Sequence, residues 1–496
     1  MSSLLDKTNN LTNAHVFTRA QLIQIFDACL NKTLGEVDKN RVFDKTISNP
    51  KITGIAGMVI EQSVLDYPPD TRQEPDLFVD NEHVELKTTG IRYSKKKGDH
   101  AYEAKEPMSI TAVTPEKIVD EVFPDSNFWH KLANMLLVYY LYDSETTVTA
   151  AEYANFPIKG YQFHEFSDED RCILERDWTI VQEFIRSLQR DFSDYTSQYP
   201  RLSSELRDKL LYIDTAPKWP NRPRFRLKRS LVTTIVQEHF GKQLEQLPQS
   251  YTSYEELDTR CRELTARYKG KTINEIANDL NVSQEKYNKS IVEQLVVRMF
   301  GGKASKMQQI ELFSKIGLLG KSVVLSPTGR PTEAMKLFTI DFEEIQNKDL
   351  AFEDSSFYEF FANRQFLYIV FTEDSNNAPL GEVRFQGFKR FTFDEVFINH
   401  EVRPVWEKIR SLIFNNTLRD VVELDKQGNP IINKKSGVIR SAPNFPKSSE
   451  GLVFVRGSGT DATNKPLEIN GVRMLSQNLW LAKAVTINAL RSGNYI

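Results

Sequence analysis

The chain has 496 residues, 40% of them apolar and 26% charged, a formal net charge of −3 and a mean hydropathy of −0.44. That length suggests two to four domains with ample core, and the near-neutral charge excludes nucleic-acid binding by bulk positive charge, leaving only local basic patches. No run of 18 apolar residues, no signal-peptide pattern at Met1-Ser-Ser-Leu-Leu-Asp-Lys7, and three scattered cysteines (Cys29, Cys172, Cys261) without zinc spacing point to a cytoplasmic protein with reduced, buried thiols and no membrane span.

Residues 15–31 read as an amphipathic helix, with Phe17, Leu22, Ile23, Ile25, Phe26 and Leu30 near helical spacing. Gly54-Ile-Ala-Gly57-Met-Val-Ile-Glu61 reads as a second helix whose two glycines stack on one side and allow close approach of another backbone. Then come two short strands, Asp76-Leu-Phe-Val and His83-Val-Glu-Leu-Lys-Thr88, joined by a turn at Asp80-Asn81. Glu85 and Lys87 are two apart and share a face, and strand pairing would bring Asp76 beside them. Carboxylates so grouped suit Mg²⁺, which takes hard oxygen ligands, and a lysine beside them can orient water or stabilise charge on a phosphodiester.

Further along, Arg92-Tyr-Ser-Lys95-Lys96-Lys97-Gly98 reads as a basic loop near the phosphate path. Ser109-Ile-Thr-Ala-Val is a third strand, and Thr114-Pro115 opens a helix. Ser126 to Leu132, including Lys131, leads into an apolar strand at Leu137–Tyr142, and a long amphipathic helix spans Leu174–Leu188. Lys218-Trp-Pro-Asn-Arg222-Pro-Arg224-Phe-Arg226-Leu-Lys228-Arg229 is basic throughout, with aromatic residues interleaved, and is expected at DNA as phosphate clamps or guanine readers. Residues 241–252 look like a linker, and Lys269 to Ser283 resembles the start of a helix-turn-helix, although an ordinary helical hairpin joining domains is the preferred reading of it.

Pro75-Asp76 with Glu85-Leu-Lys87 is the mark of the PD-(D/E)xK nuclease superfamily, and Gly54-x-x-Gly57-x-x-x-Glu61 ahead of it resembles the MutH mismatch-repair nicking enzyme. It also resembles the longer GATC-cutting type II restriction endonucleases of the same fold. Thr53 stands where that family often has lysine. The resemblance implies a catalytic set of Glu61, Asp76, Glu85 and Lys87, with Glu61, Asp76 and Glu85 toward Mg²⁺. His130-Lys131-Leu132 and Phe225-Arg-Leu-Lys228 match further family motifs, the second lying at DNA, and a target-reading loop would fall near Leu202–Lys209.

The C-terminal half repeats the N-terminal half weakly and in the same order: Phe128–Tyr139 with Phe357–Tyr368, Ile185–Leu188 with Ile409–Leu412, Phe225–Lys228 with Leu479–Ala482. Spacing then sets Val324 and Ser326 opposite Glu85 and Lys87. The expected architecture is α/β (α+β): two tandem MutH-like domains, each a mixed sheet flanked by helices. Residues 1–245 would be catalytic, and 246–496 a catalytically inactive DNA-binding copy, with Arg456 among its contacts. The implied function is restriction of double-stranded DNA, with cleavage to 5′-phosphates, dimerisation or looping over two target sites, and a companion methyltransferase that protects host DNA. The alternatives are a MutH-type repair nickase and a non-enzymatic helix-turn-helix regulator.

Overall fold

A computed structural model describes the chain except residues 1–14, 68–73, 95–100, 145–147, 216–222, 283–289, 426, 434–436, 460–463 and 492–496. The chain divides into two compact units, the first formed by Met1–Ser144, Val148–Glu256 and Gln308–Gly317, the second by Glu145–Thr147, Leu257–Met307 and Leu318–Ile496. A single cut at 245/246 is therefore not where the units part. The chain leaves the first unit, returns for Gln308–Gly317, and leaves again.

The first unit carries two sheets. Strands β1 (Val16–Phe17), β2 (Leu77–Val79), β3 (Glu82–Tyr93), β4 (Tyr102–Ala104), β5 (Met108–Ala112), β6 (Met135–Leu141), β7 (Ile158–His164), β8 (Ile213–Asp214) and β9 (Arg224–Leu227) follow in chain order. The larger sheet runs β1-β2-β3-β6-β7 with β4 on β3, and the smaller runs β5-β9-β8. β3 and β6 are parallel, while β2–β3 and β6–β7 are antiparallel. All of β6, Met135-Leu-Leu-Val-Tyr-Tyr-Leu141, is buried, which is why it reads as a continuous apolar run and not an alternating one. The turn after β2 falls on Asp80 and Asn81, with φ of 47° and 74°, the left-handed pair that a tight hairpin needs.

The helix expected over 15–31 is shorter. Val16 and Phe17 join the sheet, and Thr18 caps a helix at Arg19–Asp27 through a reciprocal bond with Gln21. Edge pairing with β2 overrides the helical period there. Ile55–Val59 is helical, and Ile60–Val64 continues it with a wider π turn that contains Glu61. Leu22, Phe26, Val59 and Ile60 from these helices pack with Leu77, Val84, Leu86, Leu136 and Val138 of the sheet. The long helix, Asp168–Asp191, starts at Ser167 with three acidic residues in its first turn, favoured by the helix dipole.

In the second unit the strands are β10 (Leu318–Leu325), β11 (Met335–Thr339), β12 (Gln365–Thr372), β13 (Arg384–Phe391), β14 (Asp420–Val422), β15 (Ser441–Pro443), β16 (Val453–Ser458), β17 (Leu467–Ile469), β18 (Val472–Met474) and β19 (Ser476–Leu481). The sheet β10-β12-β13 repeats β3-β6-β7 in order and direction, and β11-β19-β16 repeats β5-β9-β8. The repeat extends to single bonds. Ser126 Oγ donates to the Phe123 carbonyl (2.7 Å) and accepts from Trp129 N–H (3.1 Å). Ser355 does the same with Phe352 (2.6 Å) and Tyr358 (3.2 Å). Arg186 donates to the Val119 carbonyl after one short helix, as Arg410 does to Ile345 and Asn347 at the end of its counterpart.

That register corrects one expectation. With Ser126 set on Ser355, Met135 and Leu137, which face Glu85 and Lys87, correspond to Arg364 and Phe366. Phe366 faces Leu319, and one residue pair back lies Gly317, so Gly317 and Leu319 occupy the places of Glu85 and Lys87. Val324 faces Phe371, too far along the strand. The earlier spacing missed this because β10 is apolar and lacks the charges that mark β3. The helix that follows Lys269–Ser283, Ser290–Met299, buries Ile291, Val292, Leu295, Val296, Val297 and Met299, leaving little face for a DNA groove. Cys29 and Cys261 are buried, whereas Cys172 is exposed.

Candidate active site

β2 and β3 pair with Leu77 opposite Val84, so the register carried back one residue sets Asp76 opposite Glu85. Asp76 Oδ2 accepts from the Leu86 N–H at 3.0 Å, which holds the carboxylate at the strand edge. Glu85 is 1% exposed. Such a charge survives burial only with partners, and two lysines supply them. Lys87 Nζ lies 2.6 Å from Glu85 Oε1, reached along the same strand face. Lys131 Nζ, from the short helix Asn127–Leu132, donates to Oε1 at 2.9 Å and Oε2 at 2.8 Å, and to the Glu74 carbonyl at 3.3 Å.

Two carboxylates and two ammoniums thus meet at one strand edge. The Asp76 carboxyl sits above the usual carboxylate range. Burial is the main cause and the negative charge of Glu85 the second, opposed by Lys87, Lys131 and the Leu86 N–H. A divalent cation would relieve the repulsion that Glu85 exerts on the Asp76 carboxylate, so the pair of hard oxygen donors fits Mg²⁺ in donor type and charge. Glu61 follows the two glycines; a Cβ on Gly57 would come 4.0 Å from Glu61 Oε1. It does not complete a three-carboxylate group: among the described residues no three His, Cys, Asp or Glu are clustered closely enough to hold an ion.

The expected DNA contacts divide. Lys95, Lys96, Lys97, Lys218 and Arg222 lie outside the described residues. Lys131 is at the charged cluster. Arg224 is exposed on β9. Arg226 makes a two-pronged pair with Asp214 (2.7 and 3.1 Å), inside the β8–β9 ladder. Lys228 is a correction: it is buried and donates to the Leu210 carbonyl, beside Asp177, so it cannot reach a phosphate. Arg229 also turns inward, donating to the Ala104 carbonyl at 2.6 Å and lying 3.6 Å from Glu103. Arg456 is exposed on β16, its guanidinium 5.4 Å from the Trp480 ring centre. Asp177, missed in the sequence, accepts from the N–H groups of Leu211, Tyr212 and Ile213 at 2.7–3.1 Å. An aspartate in an amphipathic helix gives no hint of that.

A buried carboxylate paired across two strands with a second one, and clasped by lysines, forms a charged cluster on a mixed sheet whose oxygen donors suit a divalent cation. Residues 65–177 match the family model described as DNA mismatch repair enzyme MutH. Over 361 residues the chain is 24% identical to the type II restriction enzyme Sau3AI of Staphylococcus aureus, an overlap of 68% of this chain and 70% of that one. Both matches make the chain similar to MutH-like endonucleases, and they agree with the geometry of the charged cluster. No helix among the described residues is long and apolar enough to cross a membrane.

Proposed function

We propose that the chain makes Mg²⁺-dependent double-strand cuts in duplex DNA at a short specific site, GATC or a close relative, and that its second unit binds a further copy of that site without cutting. The observation that carries the reading is the opposed pair Asp76 and Glu85 with Lys87 and Lys131 on the second carboxylate.

Asp76 and Glu85 would hold the cation, and Glu61 would tune it from the adjoining helix. Bound Mg²⁺ would neutralise phosphate charge and acidify a water. Lys131 holds the Glu85 carboxylate in place through both of its oxygens. Lys87, the more exposed lysine of the two, at 21% against 10%, is the one that can leave Glu85 to orient a water or meet charge on the phosphate. The four side chains sum to zero charge, so a divalent ion would make the site net positive and attractive to a phosphodiester. The C-terminal repeat has Gly317, Leu319 and Phe360 where the N-terminal one has Glu85, Lys87 and Lys131, and none of these side chains can hold a cation or polarise water.

The test is digestion of a plasmid with Mg²⁺ and sequencing of the ends. Discrete double-strand ends at one short sequence support the reading. Nicks alone would favour a repair nickase, and no cutting with any divalent ion would sink it.

A further inference from the structure

Asp76 stands one residue before β2, outside the three-residue ladder, and residues 68–73 upstream lie outside the description. A carboxylate that must meet a cation to within a few tenths of an ångström needs its backbone fixed from both sides. β3 supplies one side, through the Leu86 N–H at the side chain. The other side comes from His15, which is 2% exposed and contributes its ring where a strand neighbour would contribute a peptide N–H.

His15 Nδ1 lies 2.8 Å from the Asp76 carbonyl oxygen. A carbonyl only accepts, so Nδ1 carries the hydrogen. The same ring packs on Tyr67, with centroids 4.4 Å apart and planes tilted by 36°. Tyr67 in turn donates its backbone N–H to the Glu61 carbonyl at 3.1 Å, closing the π turn that carries Glu61. One imidazole therefore touches both the backbone of Asp76 and the residue that ends the Glu61 turn. Its own place is fixed next door. Val16 and Phe17 pair with Phe78 and Val79, the Phe17 carbonyl accepts from Asp80 N–H at 3.2 Å, and Asp80 Oδ2 accepts from Arg19 N–H at 3.1 Å.

We infer that His15 is a positioning residue for the charged centre, fixing the backbone of Asp76 between β3 and Tyr67 so that its carboxylate is held beside Glu85 for one divalent cation. The inference rests on the proposed metal-dependent reading of that site. It assigns His15 no contact with DNA and no proton transfer.

Two variants separate positioning from bulk stability. His15→Phe keeps the ring on Tyr67 and removes the donor. His15→Asn places an amide N–H near the Nδ1 position and removes the ring. Mn²⁺ binding to the full-length chain without DNA, read by electron paramagnetic resonance, is measured together with cleavage, and a thermal melt is recorded for each protein. Outer-shell partners of metal ligands typically carry ~10–100-fold in metal affinity. The expected result is about tenfold weaker Mn²⁺ binding for His15→Phe, with a near-native melt, and recovery of most of that loss in His15→Asn. If His15→Phe binds Mn²⁺ as the parent does, the positioning role is overturned. If both variants lose binding only in proportion to a lowered melting temperature, His15 is a core residue and the inference fails. A parent that binds Mn²⁺ in a His15-dependent way but cuts no DNA keeps the inference and removes the nuclease reading. A parent that binds no Mn²⁺ overturns both.

Discussion

Charges at the centre make a sign-definite pH prediction. The Asp76 carboxyl is raised by burial and by Glu85, so it takes up a proton at higher pH than a free aspartate. Without a cation, its contribution to stability is full below the ordinary carboxylate pKa and is lost as pH rises through the raised one. A divalent ion competes with that proton. The melting-temperature gain from saturating Mg²⁺ should therefore be large at neutral pH and shrink as the pH falls into the raised carboxyl range. At ~100 times its dissociation constant an ion adds about 2.7 kcal/mol. A gain that stays constant from neutral to acid pH would remove Asp76 from the cation site. Asp177 follows the same sign for a structural reason. Burial pushes it up to about 6, against its three backbone N–H bonds and Lys228, so its share of stability falls as the pH rises from about 4 to about 6.

At the scale of elements, the basic stretch before the helix Arg229–His239 behaves differently from its appearance in the sequence. Six positive charges without an acid read as a phosphate clamp, yet Arg226, Lys228 and Arg229 are tied to Asp214, Leu210, Ala104 and Glu103. Those partners lie on other elements, so no local pattern announces them. By contrast, the β2–β3 hairpin, the Glu85-x-Lys87 face and the proline-started helix at Pro115 were legible, because their signals are local: alternation, a turn pair, a cap. Arg224→Ala, an exposed change, should flatten the slope of log K against log salt by about 0.9 if it meets a phosphate. Lys228→Ala should leave that slope alone and instead cost ~3–5 kcal/mol in urea unfolding, since Asp177 would be left buried beside a missing cation. The opposite pattern, a changed slope with unchanged stability for Lys228→Ala, would return Lys228 to the DNA surface.

Across the whole molecule, the duplication was legible in order but not in register. Apolar repeats reported which segments correspond, and the strand pairing corrected Val324 and Ser326 to Gly317 and Leu319. The boundary was not legible, because the returning segment Gln308–Gly317 carries no mark of where it docks. Its Lys315 reaches Asp170 at 2.8 and 2.9 Å and Glu311 at 2.6 Å, and Tyr212 donates to the same Asp170 at 2.7 Å. Burial works against the Lys315 ammonium, yet Asp170 and Glu311 hold it above its ordinary value. A chain ended at residue 245 would lose that ammonium and strand Asp170 in the interior. Lys315→Ala in the full chain isolates the effect and should cost ~3–5 kcal/mol in urea unfolding of the first unit. An unchanged midpoint would mean that the segment contributes nothing to that unit.

The claim on which the rest depends is that the lysine beside Glu85 serves chemistry and is more than a salt-bridge partner. Single-turnover cleavage of a target duplex with Mg²⁺, compared between the parent and Lys87→Ala, measures it directly, with duplex affinity in Ca²⁺ recorded alongside. Lys131 still pairs with both oxygens of Glu85 in that variant, so the fold and the DNA affinity should hold. The rate should fall by ~10²–10³ or more, the usual loss when a charge-stabilising group is removed from a reacting centre. Cleavage by Lys87→Ala at the parental rate would contradict the account.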